Sequence, residues 1–347
     1  MAYTTINKST DHFNTKLYTG NGSTNAITGV GFQPDWVWIK NASSGSNYDH
    51  VLYDAVRGVT KHIHSNTTDA EDTQSDGLTA FGTDGFTVGA DSKSNSNGST
   101  LVSWNWRASN ATAVSNTDGS ISSTVSVNDT AGFSIVKYTG TGSAGNVGHG
   151  LSTAPKVLIN KSISGSNDWF VGHSSIGFTK FLKLNATNAS STNSGIWNDT
   201  APTSSVFTIN SANGNTNSTG VEYITYCFAE KKGFSKFESF TGNGSTDGPF
   251  VYTGFKPAWV MIKASSRSTD NWVIVDSKRS TLNPADDALL ANTSGGTDTG
   301  YKRDFLSNGF KIRESGANQN GSGHTFTYMA FAEAPLVGSN NVPCTAR

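Results

Sequence analysis

The chain has 347 residues, 25 basic and 26 acidic side chains for a net charge of −1, and only 15% charged residues beside 11% aromatic. Charges this balanced and this mixed exclude the basic patch a nucleic-acid partner requires and the polybasic stretch that holds an anionic membrane. Aromatics gathered in short apolar runs, with Gly, Asn, Ser and Thr between them, exclude a disordered chain and a helical one.

The opening Met1-Ala2-Tyr3-Thr4-Thr5-Ile6 has no charged stretch leading into an apolar one, which predicts no secretory signal, and no apolar run approaches membrane-spanning length. The first recurring motif is Leu17-Tyr18-Thr19-Gly20-Asn21-Gly22-Ser23, followed by Pro34-Asp35-Trp36-Val37-Trp38-Ile39-Lys40. Proline at the start of a strand removes no ladder hydrogen bond, and the β-branched and aromatic run after it suits a buried strand. Asp54 to Gly58 could form a helical turn. Asp84-Gly85-Phe86-Thr87-Val88 carries a hairpin signal, and Leu101-Val102-Ser103-Trp104-Asn105-Trp106 alternates as a strand with one face in a core. Residues 111–130, rich in Ser, Thr, Asn and Val, read as a linker or as an extra strand pair through Ile121 to Val127.

The same succession then returns twice. The opening motif recurs at Lys137-Tyr138-Thr139-Gly140-Thr141-Gly142-Ser143 and at Ser239-Phe240-Thr241-Gly242-Asn243-Gly244-Ser245, and the strand after proline at Pro155 to Lys161 and at Pro257 to Lys263. Counted from each proline, an aromatic follows at fourteen or fifteen residues (Tyr48, Trp169, Trp272), a second at fifty-two or fifty-three (Phe86, Phe207, Phe310), and a third at seventy-two to seventy-four (Trp106, Phe228, Phe331). Three anchors in register in three copies establish a repeat. Asn283 to Leu290 reads as a second short helical stretch. The prediction is an all-β chain of three tandem antiparallel β-sandwich domains of jelly-roll or concanavalin-like type. They span residues 1–110, 131–232 and 233–347, with 111–130 between the first two, and the second and third abut rigidly.

Candidate chemistry is sparse. His62-Ile63-His64 would point two imidazoles to one face of a strand, which reads as part of a zinc site or as hydrogen-bonded or solvent-facing histidines. The second copy has Phe181-Leu182-Lys183 there, which favours the latter. Asp72, Asp76, Asp84 and Asp91 suit calcium or, equally, Asx turns. The glutamates are scattered; Glu230 and Glu333 correspond, but the first copy has Ala108 there, so a triplicated catalytic acid is not predicted. No nucleophile elbow is present, and the Gly-x-Gly motif precedes no helix, so neither an enzyme nor a cofactor is predicted. Cys227 reads as a small buried hydrophobe, and Cys344 lies in a polar tail without a partner base. Tyr48, Trp169 and Trp272 read either as a sugar-stacking platform or as core aromatics.

Several stretches carry a family resemblance: Met1 to Ile6, Gln33 to Lys40, Val56-Arg57-Gly58-Val59-Thr60-Lys61, Asn198 to Phe207, Tyr226-Cys227-Phe228-Ala229-Glu230, and Ala330-Phe331-Ala332-Glu333-Ala334-Pro335. Together they resemble proteins of tailed bacteriophages, those of marine bacteria and cyanobacteria in particular. The resemblance implies a virion structural or tail-fibre-like component built from concanavalin-type sandwiches, without catalytic residues. The implied setting is the particle, assembled in the host cytoplasm, either as head decoration or in tail-borne host attachment. Other virion proteins, further copies of the chain and host surface glycans are the implied partners, with a polysaccharide depolymerase as the alternative. Unlike a typical fibre, the chain starts almost at once with the repeat and has no heptads.

Overall fold

The computed structural model describes residues 3–43, 45–210, 215–338 and 340–343. It is all-β, in antiparallel sheets of which none is closed. Cys344 lies outside the described residues.

In the first copy, β1 (Phe13–Thr19), β2 (Asn25–Thr28), β3 (Trp36–Asn41) and β4 (Val51–Asp54) are followed by the short pair β5 (Lys61–His62) and β6 (Asp72–Thr73), then β7 (Leu78–Gly82), β8 (Gly85–Val88) and β9 (Thr100–Trp106). Next come β10 (Val114–Asn116) and β11 (Ser123–Asn128). The second copy has β12 (Phe133–Thr139), β13 (Gly145–Gly148), β14 (Val157–Ser162), β15 (Phe170–His173), β16 (Lys180–Lys183), β17 (Ser191–Thr192), β18 (Val206–Ile209) and β19 (Glu222–Phe228). The third has β20 (Ser235–Thr241), β21 (Phe250–Tyr252), β22 (Phe255–Ala264), β23 (Val273–Asp276), β24 (Ala288–Leu290), β25 (Arg303–Leu306), β26 (Gly309–Ile312) and β27 (Thr325–Pro335).

One strand order recurs in the three large sheets: β1-β9-β3-β4, β12-β19-β14-β15 and β20-β27-β22-β23. In each, the closing strand pairs with both the opening strand and the strand after proline. A smaller sheet accompanies each copy: β2-β8-β7, β13-β18 and β21-β26-β25. The predicted hairpin is there, β7 turning into β8 at Asp84, and the third copy has its counterpart where β25 turns into β26 at Asn308. The short stretch expected to be helical at Asn283 to Leu290 instead ends in β24, because Leu289 and Ala288 pair with Ile274 and Val275. Among the described residues, three four-residue α-helices lie elsewhere, at Ser92–Asn95, Ser194–Trp197 and Ala317–Asn320.

The large sheets are apolar on both faces, and period-two alternation sends successive residues to different cores. From β3, Val37 and Ile39 face the first copy's small sheet with Ile27, Phe86 and Val88, while Trp36 and Trp38 face inward. From β14, Leu158 packs with Val147 and Phe207, while Val157 and Ile159 face inward. The inward faces of all three copies meet in one central core. At its centre the third set of anchors forms a triangle, with ring centroids of Trp106 and Phe228 6.4 Å apart, Phe228 and Phe331 5.8 Å, and Trp106 and Phe331 5.6 Å. Trp36 stacks on Tyr226 at 4.2 Å and Trp106 meets Trp259 edge-on at 5.8 Å. Each buried aromatic contributes about 1.5–3 kcal/mol and each ring pair about 0.5–1.5 kcal/mol more, so the copies are held together by their largest side chains.

Residues 111–130 carry β10 and β11, which extend the second large sheet as an antiparallel hairpin over the edge of β12, with Val125 opposite Val136. The corresponding edges, β1 and β20, carry no such hairpin.

Candidate functional site

The repeated opening motif is a structural clamp. Asn95 accepts the amide of Asn21 and donates to Ser23 O, Asn217 accepts that of Thr141 and donates to Ser143 O, and Asn320 accepts that of Asn243 and donates to Ser245 O. A Cβ on Gly20, Gly140 or Gly242 would come within 2.1–2.4 Å of a carbonyl oxygen of the facing segment, so close backbone approach requires glycine there.

The lysine one residue before the end of each strand after proline joins neighbouring copies. Lys40 Nζ donates to Ser294 O (2.9 Å) and Tyr48 O (2.7 Å), Lys161 to Thr68 O (3.0 Å) and Asn167 O (2.9 Å), and Lys263 to Thr187 O (3.0 Å) and Ala264 O (3.1 Å). Copy one thus reaches three, two reaches one, and three reaches two. Burial pulls each ammonium down to about 8, and the surrounding carbonyls accept hydrogen bonds from the N–H groups it carries at neutral pH.

A second ring of bonds runs in the same sense. Trp169 Nε1 donates to His64 O and Trp272 Nε1 to Lys183 O, both at 2.8 Å, and in the first copy His50 Nε2 lies 3.1 Å from Leu290 O. Trp169 and Trp272 are 0% and 2% exposed, so of their two readings these rings take that of core aromatics, with no face open to a ligand. Tyr48 is half-buried and gives its carbonyl to Lys40; the structural counterpart of the two tryptophans is His50, just before β4.

The other candidates are tied into the fold. His62 and His64 are buried with centroids 4.6 Å apart, and His64 Nδ1 meets His50 O at 2.8 Å. Burial pulls His62 down to about 4 and also lowers His64. Among the described residues no three His, Cys, Asp or Glu side chains converge as metal ligands would. Asp84 accepts the amides of Gly29 and Gly31, Asp91 caps the helix at Ser92–Asn95, and Asp72 accepts the amide of Thr73. Glu230 pairs with Lys156 and Lys236, and Glu333 with Lys256. Cys227 is fully buried, and burial pushes its thiol far above the ordinary range.

The arrangement best suited to a ligand was not singled out from the sequence. A cleft of about 310 Å³ opens beside β20 and β21, walled by Tyr3 and Tyr252 and lined by Glu230, Lys232, Lys236 and Thr253. Tyr3 Oη donates to Gly254 O at 2.7 Å, and a Cβ on Gly254, at φ +81°, would lie 2.6 Å from that hydroxyl. Lys232 Nζ sits 4.5 Å from the centre of the Tyr3 ring. Phe250 and Tyr252, two residues apart on the edge strand β21, are 45% and 53% exposed. The available signal was the departure from the repeat: pairing of Ile27, Val147 and Val251 with Phe86, Phe207 and Phe310 sets Phe250 and Tyr252 against Ala26 and Thr28, and against Asn146 and Gly148.

Fold and site define an all-β, β-sandwich-like protein whose three repeats interlock and whose surface carries a cleft walled by Tyr3 and Tyr252. Its family is the one described as "Domain of unknown function (DUF7483)": that model matches residues 8–335, and the chain belongs to it. No curated protein and no solved structure matches the chain.

Proposed function

We propose that this chain is a non-enzymatic structural and adhesive protein on the surface of a tailed-bacteriophage particle. In this reading its copies are three concanavalin-like or jelly-roll sandwiches, serving either as head decoration or in tail-borne attachment to host glycans. It assembles with other virion proteins and with further copies of itself.

The observation that carries the reading is the interlocking of the copies. Three rings of recurrent contacts (the central aromatics, the lysines to loop carbonyls, and Trp169, Trp272 and His50 to backbone carbonyls) tie the three copies to one another. The sequence resemblance to phage proteins points the same way. The depolymerase alternative draws no support from Glu222, Glu230, Glu238 and Glu333, each of which sits in an ion pair with lysine. Gold-labelled antibody against the chain, applied to intact particles, tests the proposal. Gold over heads assigns decoration, gold over tails assigns attachment, and particles without gold overturn the virion reading.

A further inference from the structure

We propose that the cleft between Tyr3 and Tyr252 binds an acidic saccharide, a pyranose whose ring lies on Tyr252 and whose carboxylate meets Lys232. The inference deepens the adhesive part of the proposed function and rests on it.

Three observations converge. First, exposed aromatics at Phe250 and Tyr252 are not needed for folding, because the other copies build the same strand with Ala26 and Thr28 and with Asn146 and Gly148. Paired aromatics on one face of an edge strand are a liability for solubility unless something covers them.

Second, aromatic rings wall the space beside the strand in the third copy, whereas the cleft of about 280 Å³ beside β1 in the first copy is lined by Asn14, Lys16 and Gly29 without an aromatic. In the second, Val125 and Val127 of β11 fill that space, the Val127 methyl lying 2.7 Å from where a Cβ of Gly150 would be. In the first, Lys16 Nζ lies 3.0 Å from where a Cβ of Gly29, the residue after Thr28, would be. In the third, two tyrosine rings wall a cleft at the small end of the ~300–1,000 Å³ range of ligand sites.

Third, the local charge is complementary to an anion. Lys231 and Lys236 are ion-paired, with Asp129 and with Glu230 and Glu238, whereas Lys232 makes no ion pair among the described residues and rests on the Tyr3 ring. A ligand with a flat C–H face and a carboxylate satisfies both the ring and the ammonium. A neutral sugar uses only the first, and a hydrophobic peptide is mismatched to a lining of Glu230, Lys232, Lys236 and Thr253.

The test is isothermal titration of the full chain with trigalacturonate and trimannuronate, with maltotriose as neutral comparator. Saturable binding of an acidic trisaccharide is expected, about ten-fold or more tighter than that of maltotriose. Tyr252→Ala should weaken it about ten-fold without moving the melting temperature, and Lys232→Gln should remove the preference for acidic over neutral sugar. No saturable binding of either uronate at about 1 mM, or binding indifferent to Tyr252→Ala, overturns the inference. Because labelling of particles is read separately, failure of the sugar site leaves the virion reading standing, and the reverse.

Discussion

Asp54 is fully buried, and its two oxygens serve four donors: the amides of Val56 and Arg57, Arg57 Nε, and the hydroxyl of Tyr226 from the second copy at 2.8 Å. Arg57 is itself buried and donates further to Leu52 O, Lys61 O and Glu71. The third copy repeats the device with Asp276 and Arg279, closed by Trp104 Nε1 of the first copy at 3.1 Å. Removing one member of a buried ion pair strands the other, which is worse than losing a neutral bond. Asp54→Asn should therefore destabilise the fold by about 3–5 kcal/mol, and Tyr226→Phe by about 1–2 kcal/mol. The double variant should fall short of the sum, because both act on one site. Urea denaturation of the three variants measures this; equal small losses for both single variants would assign the pair no structural role. Val56-Arg57-Gly58 was legible as a motif, but its partner Tyr226 was not, since the two are far apart in sequence and only the fold joins them.

At the scale of elements, the hairpin of β10 and β11 shows how an edge is managed. Pairing with the closing strands makes Val136 the counterpart of Lys16 and Glu238. Where the hairpin covers the edge the position is apolar and buried; where the edge is bare it carries a charge, the common protection against edge-to-edge pairing. Ser109 N donates to Ser126 Oγ, so the ends of the insertion lie close and deletion of residues 111–128 can be closed without stretching the chain. Relative to the full chain, the deletion should self-associate with rising concentration, and Val136→Lys in that background should suppress it. Size exclusion with light scattering reads both; a deletion variant no more associated than the full chain would show that the hairpin protects nothing. The segment was readable as linker or strands from its alternating valines, but nothing local distinguished the two, because what decides it is pairing and packing against β12, where Val125 meets Val136.

For the whole molecule, the alternation within Trp36-Val37-Trp38-Ile39 made two buried faces legible, and the spacing of anchors made three copies legible. What covers the inward face was not, because the side chains that meet there come from strands far apart in sequence, and the bonds that orient the copies end on backbone carbonyls such as Leu290 O, His64 O and Lys183 O, which leave no residue signature. Counting from proline likewise aligned Tyr48 with the two tryptophans, since loop lengths differ between copies and only the hydrogen bonds select His50. The shared core predicts one cooperative unfolding transition rather than three, and the histidines set its pH dependence. His173 Nε2 lies 3.2 Å from Tyr328 O while Nδ1 accepts from Ser175, an arrangement that holds the ring neutral. Burial dominates and pulls it down to about 4, outweighing Glu238 and Glu230, which raise it, while Lys156 lowers it further. Burial also lowers His50, whose Nδ1 accepts from Trp38 Nε1. A folded-state value below the unfolded ~6.5 means stability fully present above pH 6.5 and lost as the pH falls through about 4, on the order of 3 kcal/mol for His173. Asp35 opposes this, because burial pushes it up to about 6 and the folded chain takes its proton first; lowered histidines, which include His12, His62, His64 and His149, outnumber it. The melting temperature should thus fall as a single transition from pH 7 to pH 4, and His173→Gln should flatten that slope while lowering stability at pH 7. A slope unchanged by the substitution would mean that His173 is not buried neutral between the second and third copies.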